Sequence, residues 1–191
     1  MVAESTTFKR QWTYSEIVAL DNEVRYELYD GELVEMASPN VLHQDIIFRL
    51  AFLLETWVRK FKTGRVFLSP IDMYVSEKRC FVPDLCFYRQ ERFDSEEIVR
   101  SDQRCLIAPP DLVVEVISPS TARNDRILKS MLYADFGIQN YWIFEPEEKA
   151  LQALVLTSGR YTITTGLTDD EIWEPPAFPG LAINLAELFA P

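Results

Sequence analysis

The sequence predicts an α/β chain: a mixed central β-sheet flanked by helices, with a β-rich C-terminal extension. Three observations predict it. Residues 111–117 (DLVVEVI) form a near-continuous apolar run, as expected of a strand covered on both faces. The helical stretch Ala122–Phe136 follows and leads into a second apolar run at 140–144 (NYWIF). Strand, helix and strand make one crossover, which is right-handed if its strands are parallel. A long amphipathic helix and several hairpins surround this unit.

From the N-terminus, Thr13 and Glu16 have capping-box spacing ahead of Ile17, Val18 and Leu20, which predicts a short helix. Residues 25–28 and 32–36 flank Tyr29-Asp30-Gly31, and the Asp-Gly pair marks a hairpin turn. Ser38-Pro39 reads as a helix N-cap followed by proline at the first helical position. In Val41–Phe61, the residues Ile46, Ile47, Leu50, Leu53, Leu54, Trp57 and Phe61 recur at helical spacing and form one apolar face. Gly64 is expected to end that helix. Residues 65–75 and 80–88 read as two strands joined at 76–79, and 89–107 as a polar, irregular stretch with a short helix. Residues 118–121 offer a helix start for Ala122–Phe136, which Gly137 stops. Residues 151–156 and 160–164 form a hairpin around Ser158-Gly159. The proline-rich stretch 174–180 leads to a terminal piece at 181–189.

The 191 residues are 48% hydrophobic and 26% charged, a composition that excludes disordered and fibrous classes. At roughly 100–200 residues per domain the chain reads as one domain over 1–191, with its core over 26–156. No run approaches the ~18 apolar residues of a bilayer span, and MVAESTTFKR has no apolar h-region. A cytoplasmic protein without a membrane segment is therefore expected. Cys80, Cys86 and Cys105 are a sparse, odd set that suits a reducing compartment. With no CxxC pair and His43 the sole histidine, zinc is not indicated. The net charge of −11, from 19 Lys+Arg against 30 Asp+Glu, argues against tight non-specific binding to nucleic acid or anionic membranes. It is compatible with a metal-dependent enzyme acting on phosphate esters, because a divalent cation reverses the local charge of clustered carboxylates.

Two charged residues sit where a core strand should be apolar: Asp84 in FVPDLCFY and Glu115 in DLVVEVI. An unpaired buried carboxylate is costly and tends to take up a proton. The two could share a cation, or each could sit at a strand end, solvated or paired with an arginine. On a helical wheel, Leu128, Leu132, Tyr133 and Phe136 define the apolar stripe of Ala122–Phe136, and Lys129 falls inside it with Asp125 one turn earlier. Lys129 must snorkel out or reach an acidic cluster. His43 lies on the apolar face of the long helix, as a hydrogen-bonded core histidine or a site residue. Glu27 and Glu32 flank the Asp-Gly turn and are either solvated or part of a site. Arg123 and Arg126 fit either a solvated helix end or phosphate contacts.

Pro83-Asp84, then Glu115 in a β-run, then a lysine, resembles the PD-(D/E)XK nuclease superfamily. YELYDGELVEMASPNVLHQ, VPDLCF and PPDLVVEVISPSTARNDRILKSMLYADFGIQNYWIFEP together resemble the Uma2-type endonucleases, the DUF820 group, and the resemblance runs from about Tyr26 to Leu156. The ordered set PPDLVVEVISPST, Asp125, Lys129, Tyr133 and NYWIFEP carries most of the specificity. One position departs from the superfamily pattern: the third residue of (D/E)XK after Glu115 is Ile117. The resemblance places the lysine on the next helix, at Lys129, which the helical wheel singles out independently.

The resemblance implies a restriction endonuclease-like core and Mg²⁺- or Mn²⁺-dependent hydrolysis of nucleic-acid phosphodiester bonds, as an endodeoxyribonuclease. Asp84 and Glu115 would ligate the metal together with the backbone carbonyl of Val116. Lys129 would orient the attacking water or stabilise transition-state charge. His43, with Glu27, Glu32 and Asp125, would complete the outer shell. Nucleic acid, DNA first, is the expected partner, and no organic cofactor is implied. The proline-rich tail, with Trp173 and Phe178 taken as exposed, leads to the expectation of a homodimer. Two other classes stand beside this: a catalytically silent nuclease-fold interaction or regulatory module, and a hydrolase of a small phosphorylated molecule. The net charge favours either, whereas joint retention of Asp84, Glu115 and Lys129 argues against the silent module.

Overall fold

The computed structural model describes residues 10–20, 24–117, 122–168 and 170–190, and within 122–126 the backbone alone. The expected helix start at 118–121 and the side chains of Arg123, Asp125 and Arg126 lie outside the described residues.

Local chemistry explains the first elements. Helix α1 (Tyr14–Val18) opens on a reciprocal capping box between Thr13 and Glu16. Strands β1 (Tyr26–Tyr29) and β2 (Glu32–Glu35) turn at Asp30 and Gly31, whose φ values of 49° and 84° give the paired left-handed geometry of a tight hairpin. Helix α2 (Val41–Phe61) follows, but its cap is Asn40, not Ser38-Pro39. The Asn40 side chain accepts from the backbone N–H of His43 at 2.8 Å, which leaves Pro39 outside the helix. At the other end Lys62, with φ 54°, makes the left-handed cap expected of Gly64. Gly64 instead begins strand β3 (Gly64–Leu68), where a Cβ would stand 1.9 Å from the carbonyl oxygen of Tyr88.

The two long strands expected over 65–75 and 80–88 are each broken in the middle. They become β3 and β4 (Asp72–Ser76), then β5 (Arg79–Phe81) and β6 (Leu85–Arg89). Pro70 and Pro83 fall in the two breaks, and proline has no N–H for a ladder. One end of this long hairpin joins one sheet and the other end joins a second. The chain continues through helix α3 (Gln90–Ser95) and strands β7 (Cys105–Leu106) and β8 (Leu112–Val116). Helix α4 (Ala122–Phe136) leads to β9 (Asn140–Glu145), and the hairpin of β10 (Ala150–Thr157) and β11 (Arg160–Thr168) follows. A small ribbon of β12 (Ile172–Trp173) and β13 (Ile183–Asn184) and helix α5 (Leu185–Leu188) complete it.

The central sheet has the order β11-β10-β9-β8-β6-β3, and the second sheet β2-β1-β5-β4-β7. β8 and β9 are parallel, which settles the direction that the sequence left open, and the other pairs of the central sheet are antiparallel. On one face, Leu50, Leu54 and Trp57 of α2 pack with Phe87, Val114, Trp142 and the C-terminal residues. On the other, Val113, Tyr141 and Ile143 pack against Tyr133 of α4 and Phe81 and Met73 of the second sheet.

Trp173 and Phe178 are not exposed. They are 5% and 0% accessible and close an aromatic cluster with Trp57, Phe87 and Trp142, ring centroids 4.7–5.7 Å apart. The proline-rich segment folds back onto α2, where Trp57 Nε1 donates to the Pro179 carbonyl at 3.0 Å. These rings complete the chain's own core and offer no surface to a second copy. Phe178→Ala should therefore cost about 3–5 kcal/mol, read as a lowered midpoint in chemical unfolding. A loss under about 1 kcal/mol would mean that the tail is not part of the core.

Candidate active site

Asp84 sits in the break between β5 and β6, where the long hairpin passes from one sheet to the other. Leu85 pairs with Val114, so Asp84 lies beside the end of β8, and its Oδ2 accepts the Val116 N–H at 2.8 Å. Alternation along β8 turns Glu115 to the same face as Val113, against α4. α2 begins at this end of the strands and brings His43 Nε2 to 3.2 Å from Asp84 Oδ2. Lys129 comes from α4 and Glu27 from β1. A cavity of about 160 Å³ is lined by Glu27, His43, Asp84, Glu115, Val116 and Lys129, among others.

The internal bonding of this group is lopsided. Glu115 Oε1 accepts from Lys129 Nζ at 3.1 Å and from the Tyr133 hydroxyl at 2.5 Å. Lys129 Nζ is also 3.2 Å from Glu27 Oε1. Glu27 is fixed in turn by the Val82 N–H at 2.9 Å and by the Tyr29 hydroxyl, which donates to its Oε2. Among the described residues, no donor engages Asp84 Oδ1 or Glu115 Oε2. Among those residues, each carboxylate thus has one oxygen held from inside the protein and one without a donor.

The charges do not balance either. Among the described residues, Glu27, Asp84 and Glu115 gather around one ammonium. Burial pushes the Glu115 carboxyl up, Lys129 opposes this, and the charges of Asp84 and Glu27 raise it further. Burial would pull Lys129 down, but the charges of Glu115, Glu27 and Asp84 outweigh it and keep the ammonium. Burial and the neighbouring Glu115 raise Tyr133, so it remains a neutral phenol that can donate. For His43, burial acts downward and is overcome by its bond to Asp84 and by the Asp84 and Glu115 charges, which raise it. His43 Nδ1 is buried without a hydrogen-bond partner among the described residues.

A divalent cation fits this arrangement. Among the described residues no three or more His, Cys, Asp or Glu side chains form an all-protein cage. What the cavity offers is two half-engaged carboxylates with Val116 beside them. That is a sparse oxygen set of the kind Mg²⁺ takes with one or two carboxylates while keeping waters and substrate phosphates.

The structure brings together Glu27, His43, Asp84, Glu115, Val116 and Lys129, but not Glu32. Glu32 sits at the turn end of the hairpin opposite Tyr29, whereas the cavity meets the open end, three residues on, at Glu35. Tyr29, Glu35 and the Val82 N–H are site features that the sequence reading did not pick out, and Tyr133 stands there in the apolar stripe and the family pattern without a role at the site. The usable signal was tyrosine rather than phenylalanine at Tyr133, four residues after a buried lysine. Leu128, placed in the apolar stripe, is instead 39% exposed, so the stripe is narrower and Lys129 lies closer to its edge.

Similarities to known proteins bear on the fold and the family. A solved structure from Anabaena variabilis, titled a "putative nuclease belonging to DUF820", matches with a TM-score of 0.75 at 18% identity, covering 93% of this chain and 97% of that one. At that identity the likeness establishes the fold. No curated protein matches the sequence. Among the described residues no helix is long and apolar enough to cross a membrane. The model of the family Uma2, described as "Putative restriction endonuclease", matches residues 11–186, nearly the whole chain, and the chain belongs to that family.

Proposed function

We propose that the chain is a Mg²⁺- or Mn²⁺-dependent endonuclease that hydrolyses phosphodiester bonds of DNA in the cavity of Asp84 and Glu115. The observation that carries this reading is a pair of half-engaged carboxylates, Glu115 buried and Asp84 half-buried, facing one cavity with a lysine ammonium. Asp84, Glu115 and the Val116 carbonyl would hold the cation. When bound, it supplies Lewis-acid polarisation of the phosphate and a more acidic water.

The rest is the work of the chain's own side chains. Lys129 keeps its proton and presents a compact positive charge at the cavity, where a phosphate gains negative charge on attack. Glu27 holds that ammonium from behind and is itself held by Tyr29 and Val82, so it acts as a positioning residue. Tyr133 fixes one oxygen of Glu115 and thereby aims the other. His43 does the same for Asp84.

Purified protein should nick or linearise plasmid DNA with Mn²⁺ or Mg²⁺, and chelation with EDTA should stop it. Incubation with RNA and with a panel of nucleotides in the same buffers tests the substrate class. Turnover of nucleotides alone would replace this reading with that of a small-molecule phosphohydrolase. No metal-dependent turnover of any of these would favour the silent module.

A further inference from the structure

The chain is acidic overall, yet residues 59–65 (RKFKTGR) hold four of its 19 Lys+Arg and no acid. Three of these, Arg59, Lys62 and Arg65, line a cavity of about 690 Å³ between the C-terminal end of α2 and strand β3. β3 is the edge of the central sheet. The cavity is not isolated from the candidate active site, because the same two pieces of chain border both. Gln44 of α2 and Ser69, just past β3, line the smaller cavity. Glu55, Arg59 and Lys62, with Arg65 and Phe67 of β3, line the larger.

The helix geometry makes this a continuous flank. At 3.6 residues per turn, Gln44, Phe48, Glu55 and Arg59 fall within a sector of about 60° on α2, and Lys62 caps the helix just beyond them. Phe48, on that flank, is 69% exposed, and Phe52 beside it is 65% exposed, so apolar rings rather than charges border the middle. From Gln44 to Arg59 the helix rises about 22 Å. At ~3.4 Å per nucleotide along one strand of a duplex that is about six to seven nucleotides. Arg59 is braced by Glu55 at 2.6 Å and Arg65 lies over the Phe93 ring at 4.3 Å, so both cations are held beside the groove.

We propose that the flank between α2 and β3 is the track of a substrate strand. Arg59, Lys62 and Arg65 form a distal subsite that holds a backbone phosphate about six to seven nucleotides from the scissile one. The anion is the sugar-phosphate backbone of single-stranded or duplex nucleic acid. The exposed rings of Phe48 and Phe52 give unstacked bases a surface where the strand is single. The proposal rests on the nuclease reading for its direction, since the track leads to Asp84 and Glu115.

The test uses fluorescein-labelled 24-mers, single-stranded and duplex, bound in EDTA over a range of KCl. The triple variants R59E/K62E/R65E and R59Q/K62Q/R65Q are compared with wild type and with R104E/R160E, a charge reversal elsewhere on the surface. The triple variants should bind at least tenfold more weakly to one or both 24-mers. Their log K against log[salt] slope should be shallower by about one, at ~0.7–0.9 for the one lost phosphate contact. R104E/R160E should stay within twofold of wild type. With Mn²⁺, cleavage of a 24-mer should fall in the triple variants while any cleavage of a 4-mer is unchanged. Absence of wild-type binding, or triple variants with wild-type affinity and slope, would overturn the track and leave the nuclease reading to its own assay. Loss of binding in the triple variants, with no metal-dependent cleavage by the wild type, would support the track and remove the nuclease reading.

Discussion

Asp84→Asn should abolish metal-dependent cleavage while leaving the fold intact. Asparagine is isosteric, and its side-chain oxygen can still accept the Val116 N–H that Asp84 Oδ2 accepts at 2.8 Å. What disappears is the negative charge and the oxygen that no described donor engages. Removing one of three crowded carboxylates also relieves the repulsion that raises Glu115, so the melting temperature without metal should be unchanged or higher. Two measurements check this together: plasmid cleavage below detection, and no thermal shift with Mn²⁺ under conditions where the wild-type protein is expected to show one. Glu115→Gln should behave alike in cleavage, with some loss of stability because its ion pair with Lys129 is broken. Wild-type cleavage by Asp84→Asn would show that the carboxylate pair is a structural device of the sheet junction.

Lys129→Met should lower turnover by about 10²–10³, the scale of losing one electrostatic group aimed at developing charge. Methionine keeps most of the apolar stem volume. The structure also sets a stability cost that the helical wheel could not foresee. Lys129 is the ammonium shared by Glu27 and Glu115 at 3.2 and 3.1 Å, so its removal leaves buried carboxylates unpaired. Breaking such a buried pair from one side costs about 3–5 kcal/mol. The variant should therefore melt lower, regain part of the loss on adding Mn²⁺, and still turn over slowly at temperatures where circular dichroism shows it folded. Lys129→Arg should rescue poorly, because a planar fork does not replace a compact point charge between two carboxylates. A folded Met variant with wild-type rates would remove Lys129 from the chemistry.

Much of this was legible in the chain itself. Periodicity placed the full extent of Val41–Phe61 and Ala122–Phe136, because a buried face repeats at helical spacing whatever the rest of the protein does. The capping box at Thr13 and the Asp-Gly turn are local hydrogen-bond chemistry and survive folding unchanged. Asp84, Glu115 and Lys129 stood out because charge in an apolar run needs a partner. Helix ends were read less well. Ser38-Pro39 and Gly64 carry strong general preferences, but Asn40 and Lys62 satisfied the same backbone groups, and Gly64 was needed where β3 meets Tyr88.

The sequence by itself determined the helices, the strand–helix–strand unit of β8, α4 and β9 and the odd charges, since each rests on neighbours within a few turns or strands. Only the tertiary structure decided which of those charges meet. The breaks at Pro70 and Pro83 send the two halves of one long hairpin into different sheets, and the junction they create is where Asp84, Glu27 and the Val82 N–H come together. Glu32 and Glu35 differ by three residues, yet only the open end of the hairpin reaches the cavity. The tail aromatics were likewise ambiguous, because exposed and buried tryptophan look the same in a chain. Folding back onto α2 buried Trp173 and Phe178, since that core had an open side and those rings were the apolar surface available to close it.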